Sequence, residues 1–168
     1  DSDTEWIFID GSYVKAHQHS AGAASHDQEA IGLSRGGKTS KIHIAVDAYG
    51  LPIAFEITGG EVHDAKAAPD LLAQVSIGAM LIADTGYDSQ AIRDRVESNG
   101  KATSIPRRKN SKIGNSGLDK CMYSLRHLVE NMFARLKHFR AIATRYDKLK
   151  RNFVSLVALA CAFIWLPM

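Results

Sequence analysis

A chain of 168 residues with 45% apolar and 23% charged side chains is long enough to bury the core of one domain and too polar for a membrane bundle. Its two cysteines, Cys121 and Cys161, exclude a disulfide framework and a Cys-x-x-Cys metal site, and read as core fillers of an intracellular protein. The net charge of +3 hides an asymmetry. Acids and bases roughly balance before Gly100, whereas Arg107, Arg108, Lys109, Lys112, Arg135, Lys137, Arg140, Arg145, Lys148, Lys150 and Arg151 crowd the rest. Such a surface suits a polyanion such as nucleic acid, and on charge alone suits a solvated basic face equally well.

In chain order, Trp6 to Ile9 is a continuous apolar run stopped by Asp10-Gly11, which predicts a short central strand. Residues 16 to 40, rich in His, Ala, Gly and Ser, predict a long loop. Ile42, Ile44 and Val46 alternate, Gly50-Leu51-Pro52 turns the chain, and Ile53 to Thr58 alternates again, so a hairpin is expected. Ala65, Ala68, Leu71, Leu72 and Val75 recur at helical spacing behind Asp64 as cap. Met80 to Ala83 is a second apolar strand, ending at Asp84-Thr85-Gly86. There follow a helix from Ser89 to Ser98 closed by Asn99-Gly100, a short strand from Lys101 to Ile105, and a basic loop to Leu118. One long helix is expected from Asp119 to about Phe139, and a last one from Asn152 to Leu166. The apolar run Phe153 to Leu166 holds about 14 residues, short of the ~20 a membrane span needs, so it reads as a buried core helix. The acidic start is no signal peptide. With no initiator Met and an apolar run almost at once, the chain reads as a piece of a longer protein or the downstream product of a split frame. The order of elements implies one α/β domain over residues 1–168, a mixed sheet with helices on its faces.

Two strands end alike, in an apolar run, an Asp and then a Gly within two residues. If they are neighbours, Asp10 and Asp84 face each other at the carboxyl edge of the sheet, where open α/β sheets build their sites. Two carboxylates held together repel, so one is protonated more readily or a cation binds between them. Oxygen ligands of this kind suit Mg2+ or Mn2+. Either Asp alone is equally a turn residue or helix cap. On the long helix, Tyr123, Arg126, Glu130 and Lys137 fall on a stripe roughly 60° wide, flanking an apolar set of Leu125, Leu128, Val129, Met132 and Leu136. An acid, two cations and a phenol on one stripe suit phosphate handling better than an ordinary Arg126–Glu130 surface pair does.

The spacing Tyr123-x2-Arg126-x3-Glu130-x6-Lys137 resembles the Y-R-E-K signature of bacterial insertion-sequence transposases of the DDE superfamily. The stretches Ile9-Asp10-Gly11-Ser12, Ala30 to Gly37, Lys41-Ile42-His43, Val62-His63-Asp64, Ala83 to Asp88 and Arg140 to Lys148 look like the group usually numbered five. The resemblance covers nearly the whole chain. It implies a ribonuclease-H-like fold, two Mg2+ (or Mn2+) ions, and a metal-binding catalytic triad of Asp10, Asp84 and Glu130, with Asp10 shared between the ions. Its members also carry an N-terminal DNA-recognition region, which this chain lacks, so the chain is expected to be the catalytic part.

The implied chemistry is metal-dependent nicking at transposon ends and transfer of the freed 3′-hydroxyl into target DNA. Arg126 and Lys137 would hold end phosphates, and Tyr123 the DNA backbone or a displaced base. Arg107, Arg108 and Lys109 would touch DNA backbone, with Arg35 and Lys38 as weaker candidates. His63 is an accessory candidate near the metals, its plainer reading being a loop histidine with partners of its own. His17, His19 and His26 lack a Cys partner and predict no zinc site. The expected partners are transposon-end and target DNA, further copies of the chain in a synaptic complex, and an N-terminal polypeptide, with no membrane. The expected location is cytoplasmic, at the nucleoid. Two other readings share the features: a ribonuclease-H-like endonuclease that does not transpose, and a catalytically inactive DNA-binding remnant.

Overall fold

The computed structural model describes residues 1–20 and 29–166. Strand β1 (Trp6–Ala16) runs antiparallel to β3 (Gly37–Val46), which pairs in turn with β2 (Gly32–Ser34) and with β4 (Pro52–Gly59). On its other side β1 runs parallel to β5 (Met80–Ala83), and β5 parallel to β6 (Ala102–Ser104). The two-residue β7 (Thr144–Arg145) pairs with the far end of β1. Helices α1 (Asp64–Leu72) and α2 (Gln90–Glu97) cover one face. The other face carries α3 (Lys120–Ser124), α4 (His127–Lys137), α5 (Arg140–Ala143) and α6 (Lys150–Trp165). The mixed sheet flanked by helices is the architecture expected from the element order.

Strand side chains alternate between faces. Ile7, Ile9, Ala45, Leu81 and Ala83 meet Ala68, Leu71 and Leu72 of α1 and Ile92 and Val96 of α2. Phe8, Val14, Ile42, Ile44, Val46 and Ile82 meet Val129, Met132, Phe133 and Leu136 of α4 and Phe153, Val157 and Ile164 of α6. Burial on both faces is why β1 and β5 read as unbroken apolar runs. The run Phe153 to Leu166 lies mostly in α6, and among the described residues no helix is long and apolar enough to cross a membrane.

Several expected boundaries move. β1 does not stop at Asp10 but continues to Ala16, because its ladder with β3 runs on through Lys15↔Thr39. The expected loop from 16 to 40 therefore contains the end of β1, all of β2 and the start of β3, while its residues 21–28 lie outside those described. The cap of α1 is His63, whose Nδ1 accepts from the Ala65 amide, and not Asp64. Cys161 is buried as expected, but Cys121 is exposed on α3.

The long helix breaks at Leu125-Arg126. The Ser124 carbonyl accepts from the His127 ring at 3.0 Å, while the Leu128 amide bonds the Leu125 carbonyl. The ladder thereby tightens to i→i−3 bonds at Leu125, Arg126 and Leu128. Ser124 contributes by bonding back to the Cys121 carbonyl, the competition with the helix ladder that a serine offers. The break leaves Leu125 and Leu128 only half-buried and places Arg126 at the N-terminus of α4.

Candidate active site: a carboxylate cleft bridged by an arginine

β5 accompanies β1 only as far as Ile9↔Ala83, and β7 rejoins it at Lys15↔Thr144. Between them one edge of β1 opens, and Asp10 is the first residue in the gap. Asp84 directly follows Ala83 at the end of the neighbouring parallel strand, so it leaves the sheet beside Asp10, which lies where β1 runs on without β5. Each spends one oxygen on a nearby backbone amide. Asp10 Oδ1 accepts from the Gly11 amide at 2.8 Å, and Asp84 Oδ1 accepts from the Gly86 amide at 2.8 Å, capping a short turn over Thr85–Tyr87. Burial pushes the Asp10 carboxyl up to about 6, with Asp84 and Asp64 adding to the rise, while the Gly11 amide and Arg126 oppose it.

The third acid arrives on α4. Arg126 donates from Nη1 to Asp10 Oδ2 at 2.8 Å and from Nη2 to Glu130 Oε1, so one guanidinium joins the strand-borne and the helix-borne carboxylates. Its charge also acts on Asp84. The Tyr123 ring lies 6.0 Å below the guanidinium, and Lys137 Nζ donates to Ser12 Oγ at 2.7 Å. The stripe anticipated on the helix thus turns toward the open edge of β1. In this conformation Arg126 is paired with acids and not displayed for phosphate, and among the described residues no three His, Cys, Asp or Glu side chains are grouped as a ready metal cage. The donors are still of the kind a hard divalent ion takes: Asp10 and Glu130 share the Arg126 guanidinium, and Asp84 follows the strand that pairs beside Asp10.

Beside the triad stands a feature the sequence did not announce. Asp64, at the start of α1, pairs through Oδ1 with Lys41 Nζ at 3.0 Å and with His43 Nδ1 at 3.4 Å. Lys41 and His43 are 3% and 0% exposed. His43 also reaches Thr58 Oγ1 at 2.9 Å and Tyr87 Oη at 3.3 Å. Tyr87 is fully buried, and burial together with Asp64, Asp10 and Asp84 pushes its phenol well above its usual range. The alternation of Ile42, Ile44 and Val46 leaves the other side of β3 unassigned in the sequence. The signal that could have marked it is Asp64 itself, an acid available to a buried lysine.

The remaining candidates scatter around the cleft. His63 is exposed, with Nδ1 engaged as the α1 cap and Nε2 3.2 Å from the Arg108 guanidinium. Arg108 also donates its amide to Asp88 Oδ2 at 2.9 Å, and the Arg107 amide and carbonyl bond the Asn115 side chain. The basic loop is thereby pinned across the N-terminus of α1, with Arg108 and Lys109 exposed. Arg35 and Lys38 are exposed at the β2–β3 turn, away from these contacts. His17 stacks on Tyr146 at 4.5 Å and lies 5.0 Å from His19, whereas His26 lies outside the described residues.

The profile of the family described as "Transposase DDE domain" matches residues 1–165. The chain belongs to the DDE transposase family. It is 38% identical over 128 residues to a protein of Brucella ovis described as transposase for insertion sequence element IS6501, covering 76% of this chain and 98% of that one. It is 29% identical over 136 residues to one of Burkholderia cepacia described as transposase for IS402, covering 74% of this chain and 62% of that one. A solved structure of a simian T-cell lymphotropic virus intasome, in complex with a PP2A regulatory subunit, superposes with a TM-score of 0.55 at 14% identity, over 97% of this chain and 49% of that chain. The transposase thus has the integrase-like, ribonuclease-H-like fold that its sequence resemblance implied, and its family is one of bacterial insertion-sequence polynucleotidyl transferases.

Proposed function

We propose that this domain nicks DNA at transposon ends and joins the freed 3′-hydroxyl to target DNA, with Asp10, Asp84 and Glu130 holding Mg2+ or Mn2+. The observation that carries this reading is the register Ile9↔Ala83, which sets Asp10 and Asp84 side by side, together with the Arg126 bridge from Asp10 to Glu130. Bound at these oxygens, a pair of divalent ions supplies activation of water or a 3′-hydroxyl and stabilisation of the leaving oxygen. Asp10, with Asp84 following the paired strand on one side and Arg126–Glu130 on the other, is the residue we assign as shared. With divalent ions held by the acids, Arg126 would be the guanidinium available to a phosphate of the end, beside Tyr123 and Lys137. Arg107, Arg108 and Lys109 give backbone affinity without sequence information, and His63 holds Arg108 in that loop. Synapsis of two ends calls for further copies of the chain, and end recognition for an N-terminal polypeptide. DNA binding by these cations falls steeply as salt rises from about 50 to 200 mM, and a tight complex indifferent to salt contradicts it.

Supercoiled-plasmid nicking across an Mg2+ and Mn2+ titration tests the reading, with a transposon end on the plasmid and the recognition region supplied in trans. Asp84→Asn keeps the side-chain volume and removes the charge, so nicking and strand transfer vanish while the circular dichroism spectrum is unchanged. Cleavage by this variant at the wild-type rate removes Asp84 from the mechanism. Nicking without joined product favours an endonuclease that does not transpose.

A further inference from the structure

Two glycines in two different motifs make room for the same third carboxylate. A Cβ built on Gly11 would lie 2.5 Å from Asp64 Oδ1, and one built on Gly86 would lie 2.8 Å from Asp64 Oδ2. Gly11 immediately follows Asp10, and Gly86 is two residues past Asp84. The Asp64 carboxylate therefore lies between Gly11, in β1 just past Asp10, and Gly86, in the turn capped by Asp84, and a larger residue at either position would press on it. Its other contacts hold it there: Lys41 and His43 approach from the floor of the sheet, and the Lys41 ammonium is itself locked between Asp64 and the Tyr13 ring, 4.5 Å from the centroid. Asp64 also contributes to the charge felt at Asp10 and at Tyr87. A purely structural Lys41–Asp64 pair has no need of a position between the turns.

We propose that Asp64 is a positioning residue of the carboxylate site: anchored by Lys41 and His43 and seated between Gly11 and Gly86, it fixes the β1 backbone at Asp10 and the Asp84 turn relative to each other and adds its charge to the field that draws a divalent cation to them. This rests on the assignment of Asp10 and Asp84 as cation ligands. It gives Gly11 and Gly86 a reason, and it gives the buried polar side of β3 a function.

The test is Mn2+ binding by titration calorimetry on the full chain, well below the melting temperature, so that the readout is affinity and not turnover. The wild type binds and Asp84→Asn does not. Asp64→Asn weakens Mn2+ roughly 10-fold or more, the usual cost of losing a supporting group around a metal site. Because that change leaves the Lys41 ammonium without its acid, Asp64→Asn combined with Lys41→Met serves as the folded control and shows the same loss. Gly11→Ala weakens Mn2+ in the wild-type background and has no further effect on Asp64→Ala, since the group it displaces is gone. Wild-type affinity in both Asp64→Asn and its Lys41→Met partner overturns the proposal while leaving Asp10 and Asp84 as ligands. Absence of Mn2+ binding by the wild type, or undiminished binding by Asp84→Asn, instead removes the metal site itself and this inference with it.

Discussion

Arg145 and Arg126 are both arginines on the α4–α6 side of the sheet, and they are satisfied in opposite ways. Arg145 is 0% exposed, and its guanidinium donates to the carbonyls of Ala30, Asp147 and Lys148 and to Ser40 Oγ, with the Phe153 ring 4.9 Å from its centre. Burial lowers it to about 10, with Asp147 and Glu29 acting the other way. Arg126 keeps 22% of its side chain exposed and bonds two carboxylates. An arginine held by neutral carbonyls and a hydroxyl from three segments is a fixed strut, because no other cation can take over that geometry. An arginine held by acids at a solvent edge occupies a cation site that another cation can claim. The difference separates the end of β1 that holds the fold together from the stretch at Asp10, where cation binding is proposed.

The comparison breaks most visibly at Arg145. Arg145→Met removes four charge-assisted bonds, but Ser40 Oγ still donates to the Ala30 carbonyl at 2.7 Å and the Asp147 and Lys148 carbonyls lie where water can reach them, so chemical denaturation is expected to show a loss of roughly 2–3 kcal/mol. A loss within ~1 kcal/mol would mean that the β1–β7 junction is not the strut described.

An intermediate case is Arg93, 5% exposed, which donates to Asp88 at 2.8 Å and to the Ile105 carbonyl at 2.9 Å. Asp88→Asn keeps the carbonyl bond and removes the charge, for an expected cost of about 2 kcal/mol. Burial opposes ionisation of Asp88, but Arg93 and the Arg108 amide outweigh it and hold the carboxyl below its usual 3.8. A lowered folded value favours the ionised form in the native state. The contribution is therefore complete above 3.8 and is lost as the pH falls through the lower folded value. Stability measured at pH 7 and again near pH 3 should fall less in Asp88→Asn than in the wild type, and equal falls would remove this pair from the acid response.

The smallest expected change in stability is at Arg126. Arg126→Gln leaves Glu130 in water, and Asp10, whose carboxyl burial has already pushed up to about 6, can take a proton in place of its partner, so without metal the loss should stay within about 1–2 kcal/mol. Mn2+ affinity should hold or rise a few-fold, because the guanidinium no longer competes for the two acids, while affinity for an end duplex drops. Mn2+ binding weakened as much as in Asp64→Asn would make Arg126 a support of the site and not a rival for it.

The sequence by itself located the acids proposed here as the site, and the elements that carry them. Apolar runs ending in Asp10 and Asp84, and a helix-borne Glu130 among Tyr123, Arg126 and Lys137, are local patterns, set by side-chain period and by where an apolar run stops. The mixed sheet follows from the same patterns. Only the tertiary structure decided the rest, because it depends on register between distant segments. That β1 runs on past Asp10 is decided by pairing with residues 39–44, which outweighs the local turn signal of Asp10-Gly11. The break at Leu125-Arg126 arises when the His127 ring takes a carbonyl from the ladder, which helical periodicity cannot register. That Lys41 and His43 face inward is decided by Asp64, contributed by α1 across the sheet, which neutralises a cation that alternation alone leaves unassigned. Arg126 looked free for phosphate because a sequence displays its charge but not its partner, and that partner, Asp10, lies 116 positions away.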